Sequence, residues 1–257
     1  MRLYHFGLQL EYDTYSDLDN ALRFEFQCHV EFIERYIAKA MRSKKIETHE
    51  DYNGLYIALL PEELMKEPQV WYYNLFIYLP FDLQAYKKAV LNKDYSYYLD
   101  TIICGFNRYA ELKNVSVSEL IDIVHEFKKN GCQTKWVIKK KIFRELGLRV
   151  ELHGELTTDY YQATVVVTDA KRNILCQGPI LKTEACIFVY DGLVRDAIME
   201  NGVIYITDFL EKKRFRFNVM KLLDGIFSPE IEKIYERDLT AYYYYAGFNY
   251  IGETGKC

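Results

Sequence analysis

The chain has 257 residues, with 33 Lys and Arg against 37 Asp and Glu, for a formal net charge of −4. Half of it is apolar or aromatic, and glycine (13) and proline (5) are scarce, so the composition is that of a chain with a packed core rather than a disordered tract. The mildly acidic balance argues against a broad nucleic-acid or anionic-membrane surface, and no run approaches the roughly 18 apolar residues of a membrane span.

Residues 3–12 alternate as a strand directly after Met1, with no basic leader and apolar stretch, so no secretory signal is expected. Ser16 and Asp19 read as a shortened capping box. Leu18, Leu22, Phe26, Val30, Ile33, Ile37 and Met41 then recur every three or four residues, one face of a helix of about seven turns. Residues 54–60 and 69–79 read as buried strands, the second stopped by Pro80. Asp82 caps a helix over 83–91, a further helix covers about 95–112, and Ser116 with Glu119 opens a third that Asn130-Gly131 closes.

After Gly131 the period changes to two: Trp136 to Phe143, then Leu146 to Leu152, then Ala163, Val165 and Val167. Asp169 to Asn173 is a polar turn, Asn201-Gly202 is a strong hairpin signal, and Glu211 to Lys213 turns again into a strand. Ser228-Pro229 predicts a last helix with Ile231, Ile234, Tyr235 and Leu239 on its apolar face. The fold class expected is α+β: a mixed helix and strand half over 1–131, then a β-rich antiparallel meander with a C-terminal helix over 132–257. The boundary is soft and compatible with one continuous domain.

Motifs for chemistry are weak. Gly252 to Cys257 fails the phosphate-loop pattern, because Tyr250 and Cys257 stand where glycine and Ser or Thr are required. His29 and His125 lack partners at metal-ligand spacing, and the six cysteines form no CxxC pair, so neither metal nor cofactor is expected. Cys28, Cys104 and Cys186 lie in apolar runs, as buried thiols of a reducing cytoplasm would. Asp159 with Asp169-Ala-Lys171 matches a nuclease carboxylate pattern loosely, and turn chemistry accounts for the same residues. His153 among Arg149, Glu151 and Glu155 fits an exposed sheet face, and Lys139 to Lys141 fits a protected edge strand. No catalytic residue is assigned.

The strongest signal is tyrosine, 24 residues of it, often clustered. Tyrosines in 69–79 are assigned to strand packing, and Tyr242 to Tyr245 to the last helix or beyond. Acidic-aromatic clusters at element edges suit the centre of a protein interface, which selects Asp94, Tyr95, Tyr97 and Tyr98, and Asp159, Tyr160 and Tyr161.

The segments LPFDLQAYKKAV (79–90), KWVIKKKIF (135–143), VTDAKRNIL (167–175) and ILKTE (180–184) resemble those of immunity proteins that neutralise bacterial polymorphic toxins. The resemblance implies a cytoplasmic, non-enzymatic protein that binds a cognate toxin domain, with neither membrane nor nucleic acid as partner. It carries over no functional residue. A second resemblance is to CRISPR repeat-processing RNA endonucleases. The strand and helix order over 3–143 fits one ferredoxin-like unit, and residues 213–217 and 245–248 are similar to the end of such enzymes. It implies a proton carrier, for which His29, Tyr36 or His49 are candidates. Aromatic patches used for self-association are the third alternative.

Overall fold

The computed structural model describes residues 1–48, 50–157, 160–183 and 191–231. Within them the chain is mixed α and β, with six helices and three four-stranded sheets. It divides between Gln133 and Thr134 into two compact units.

The first unit is a sheet with helices. Strands β1 (His5–Leu10), β2 (Gly54–Leu60) and β4 (Asn74–Pro80) run parallel in that order, and β3 (Gln69–Trp71) adds antiparallel at the β4 edge. Its helices are α1 (Tyr12–Leu18), α2 (Asn20–Lys44), α3 (Leu83–Asn92), α4 (Ser96–Lys113) and α5 (Ser118–Lys129). Alternation along the strands places Phe6, Leu8, Leu10, Leu55, Ile57, Leu59, Leu75 and Ile77 on one buried face. Helix α4 lies close on that face because Gly105 has no side chain. A Cβ there would sit 2.2 Å from Cδ1 of Ile57, and the Phe106 ring meets Phe6 edge-on at 5.6 Å.

The first helix departs from expectation. Ser16 does not cap it; Glu11 starts α1 by accepting from the Thr14 N–H at 2.7 Å. Asp19 then ends α1 and caps α2, accepting from the Leu22 N–H at 2.9 Å. Either carboxylate satisfies N–H groups that a helix start leaves unpaired, so the more acidic positions take the role from the serine. Residues 69–79 form two strands where one was expected, joined by a turn at Tyr72-Tyr73.

The second unit contains an antiparallel sheet in the order β5 (Thr134–Phe143), β6 (Leu148–Leu156), β7 (Tyr161–Thr168), β8 (Ile174–Thr183). Leu148, Val150, Leu152 and Leu156 of β6 are buried while Arg149, Glu151, His153 and Glu155 alternate outward, the half-solvated pattern of antiparallel sheets. Lys139 to Lys141 lie on β5, an edge strand as the lysine run suggested, where Lys139 pairs with Asp196 and Lys140 with Glu151. The other sheet has the order β12 (Glu230–Ile231), β11 (Lys213–Asn218), β10 (Val203–Thr207), β9 (Asp196–Glu200), and β11 leads into α6 (Val219–Leu223). Asn201 (φ 49°) and Gly202 (φ 75°) make the two-residue turn between β9 and β10 that their sequence announced.

Two expectations fail on the strand pairing. Strand β5 pairs with β6 in the second unit, so it does not complete a ferredoxin-like sheet with the strands before it. Glu230–Ile231, placed in a last helix by the Ser-Pro signal, instead pair with Arg216 and Phe215 of β11; the remainder of that segment lies outside the described residues.

Candidate partner-binding surface

The β3–β4 connection is a two-residue hairpin loop, with Trp71 opposite Asn74 and Tyr72-Tyr73 between them. Both tyrosines have positive φ, 44° and 63°. A type I′ turn demands this at both central positions, and Asn-Gly meets the demand with little strain. A bulky side chain in the left-handed region is a conformational outlier, with a strain of roughly 1–3 kcal/mol per residue. The same molecule uses Asn201-Gly202 for the same turn elsewhere.

The tyrosines are not buried in return. Trp71 is 62% exposed, Tyr72 76% and Tyr73 60%. Trp71 stacks edge-on with Tyr72 at 4.9 Å and leans toward Phe76 at 6.5 Å, and Phe76 stacks on Tyr56 of β2 at 5.2 Å. The result is an aromatic stripe that begins half-buried on the sheet and ends bare at the turn. The backbone beneath is anchored: the Tyr73 carbonyl accepts from the N–H groups of Asn53 (2.8 Å) and Gly54 (3.2 Å). The tip is thus aromatic, solvent-facing and anchored through its backbone, and Trp and Tyr are the side chains most enriched among the anchors of protein interfaces. Assigning Tyr72 and Tyr73 to strand packing is corrected by this geometry, whereas Tyr78 does pack, its ring buried and its hydroxyl bonded to Gln69 at 2.6 Å.

The residues selected from sequence are distributed differently. Asp94 is exposed and turns the chain into α4, accepting from the N–H and hydroxyl of Ser96 at 3.0 and 2.5 Å, which holds its carboxyl below the usual carboxylate range. Tyr95 is half-buried with its ring edge-on to Phe32 at 5.8 Å, and Tyr97 is half-buried against Tyr86 and Tyr98. Tyr98 is 2% exposed and Tyr161 0%, the latter stacked on Trp136 at 6.0 Å, so neither presents its ring to a partner. Tyr160 is half-buried under the Lys182 ammonium at 4.2 Å, and Asp159 lies outside the described residues, as do Tyr242 to Tyr245. The two clusters fall in separate units.

Groups considered for chemistry have structural partners. Asp169 accepts from the backbone N–H and side-chain amide of Asn173, both at 2.8 Å, and these bonds hold its carboxyl below the ordinary range. His153 faces Glu151 at 3.2 Å on the charged face of β6. Cys104, expected to be buried, is exposed on α4, and His49 and Cys186 lie outside the described residues. His29 approaches the hydroxyl of the buried Tyr86 at 3.0 Å, and that hydroxyl donates to Glu25 at 2.8 Å. Burial, followed by the Glu25 bond, pushes the Tyr86 phenol far up. A cleft of about 410 Å³ is lined by Tyr205, Lys213, Arg216 and Glu230 among others; Arg216 pairs with Glu230 within it, and Lys213 pairs with Glu200 of β9.

Among the described residues no group of three or more His, Cys, Asp or Glu is placed to hold a metal ion, and no helix is long and apolar enough to cross a membrane. Comparison with known proteins finds no family model, no curated protein and no solved structure that matches this chain.

Proposed function

We propose that this chain is a non-enzymatic, cytoplasmic protein-binding module that acts as an immunity protein, neutralising a cognate bacterial toxin domain by direct association. The observation that carries the binding role is the Trp71-Tyr72-Tyr73 tip: three large aromatic side chains held exposed, Tyr72 and Tyr73 in a backbone conformation that opposes them. Within the hairpin only the edge-on contact of Tyr72 with Trp71 favours tyrosine over Asn-Gly, by about 0.5–1.5 kcal/mol against the strain of two left-handed residues. A partner pocket favours it further, because aromatics bury much area with little side-chain entropy to lose. The resemblance of residues 79–90, 135–143 and 167–175 to immunity proteins supplies the toxin as the class of partner.

Co-expression with the product of the adjacent upstream gene tests this. That product is expected to harm cells lacking this protein and to co-purify with it, and Trp71→Ala is expected to weaken the complex by about 2 kcal/mol or more. A neighbour that neither binds nor harms ends the immunity reading.

One observation favours a second reading, an RNA-cleaving enzyme with His29 as proton carrier: the imidazole is oriented by a buried phenol that a carboxylate holds in turn. Cleavage of structured RNA that is lost in His29→Ala would support it, and inactivity on such RNA would sink it.

A further inference from the structure

Residues 62–73 form one arm, from the turn Glu62–Leu64 through β3 to the tip, in which every residue but the half-buried Pro68 is exposed. Its large apolar side chains, Leu64, Met65, Val70, Trp71, Tyr72 and Tyr73, are all exposed. Val70 and Trp71 point to opposite faces of β3 by strand alternation, and each keeps more than half of its surface exposed. The arm is therefore open to a partner on both faces, while Gln69 and Lys66 tie it to its own unit through Tyr78 and Glu11.

The edge itself offers little to an added strand. With Trp71 paired to Asn74 across a two-residue turn, the ladder bonds lie at 71–74 and 69–76, leaving only the Val70 N–H and C=O facing outward. Pro68 precedes that residue and the left-handed turn follows it. Recognition therefore falls to side chains, and burying both faces of the arm requires a concave site rather than a flat one.

The charge of the arm is one-sided. Lys66 is turned back, its ammonium 2.9 Å from Glu11 and over the Tyr78 ring. Glu62, Glu63 and Glu67 are exposed and have no ion pair among the described residues. We infer that the arm 62–73 inserts as a finger into a concave, basic-walled cleft of the partner protein, its aromatic tip filling the floor and its three glutamates facing Lys and Arg on the rim. The inference rests on the partner-binding proposal and specifies the partner's surface.

Photo-crosslinking of the full chain tests it. In cells that naturally make the protein, Tyr72→p-benzoylphenylalanine is irradiated and the cross-linked residues of the captured protein are mapped, with Leu91→p-benzoylphenylalanine on the exposed end of α3 as the background site. The expected result is one heterologous protein cross-linked within a cleft walled by Lys and Arg, with the yield lowered about tenfold or more in the Glu62→Lys/Glu63→Lys/Glu67→Lys background. All three glutamates are exposed, and an unchanged melting curve shows that the charge reversal leaves the fold intact. A cross-link that maps to a flat or acidic surface, that ignores charge reversal, or that joins two copies of this chain overturns the finger-in-cleft inference. No heterologous cross-link above the Leu91 background overturns it too, and removes the support for partner binding with it.

Discussion

Individual tyrosines separate by where the hydroxyl goes. Tyr52 and Tyr109 bond each other at 2.9 Å in the core, Tyr78 bonds Gln69, and Tyr86 bonds Glu25, so these four buried rings keep a polar outlet. Tyr72 and Tyr73 need no such outlet because they face solvent. A second residue-scale feature is Glu34 of α2, whose carboxylate accepts from the Leu8 N–H on the open edge of β1 at 2.6 Å and from the Gln27 amide at 2.9 Å. Burial pushes its pKa up to about 8, against the Leu8 bond, and neighbouring Glu31 adds to the rise. The folded state therefore keeps a proton that the unfolded chain releases at its ordinary value near 4.5. That contribution to stability is complete below the unfolded value and is lost as pH rises through the folded one. Urea midpoints should fall between about pH 4.5 and 8, and Glu34→Gln should flatten the slope in that window; an unchanged slope would contradict the assignment.

At the scale of elements, close approach decides two outcomes. Gly105→Ala in a helix ordinarily stabilises by about 1 kcal/mol, but here the added methyl meets the buried, β-branched Ile57. The expected sign is reversed, a loss of about 1–3 kcal/mol in equilibrium unfolding. In the second unit Arg214 and Asp208 form a buried pair at 2.8 Å, and Asp208 also holds the turn through the Lys212 N–H. Asp208→Ala should cost about 1–3 kcal/mol, because it removes the buried acceptor shared by the Arg214 guanidinium and the Lys212 N–H. Much of this layer was legible in the chain itself. The helical period of α2, the Asp82 cap of α3, the alternation of β6 and β7 and the Asn201-Gly202 turn all stand where local chemistry put them. The tip was not legible, because Tyr-Tyr carries no turn propensity and mimics a strand. Two signals pointed to it: an 11-residue run, 69–79, exceeds the usual five or six for a strand, and three successive aromatics cannot alternate in and out. The Ser-Pro helix signal at 228 lost to pairing with β11, a tertiary contact that no local window contains.

For the whole molecule, the arm 62–73 that is proposed to bind belongs to the first of two compact units, residues 1–133. That unit has its own sheet, helices and aromatic core, so a chain of those residues is expected to unfold cooperatively and to hold the partner as the full chain does, as checked by circular dichroism and by titration. Loss of binding in a folded fragment would move the interface elsewhere. If Tyr72 and Tyr73 serve recognition at the expense of the fold, equilibrium urea unfolding of the Tyr72→Asn/Tyr73→Gly double variant reads that expense out. The expected result is a protein more stable than the parent by about 1–3 kcal/mol, since the left-handed strain relieved at two residues exceeds the lost Trp71–Tyr72 contact and the added freedom of glycine in the unfolded chain. A variant of equal or lower stability would mean that the tyrosines are there to hold the hairpin, and the aromatic tip would lose its standing as a binding surface.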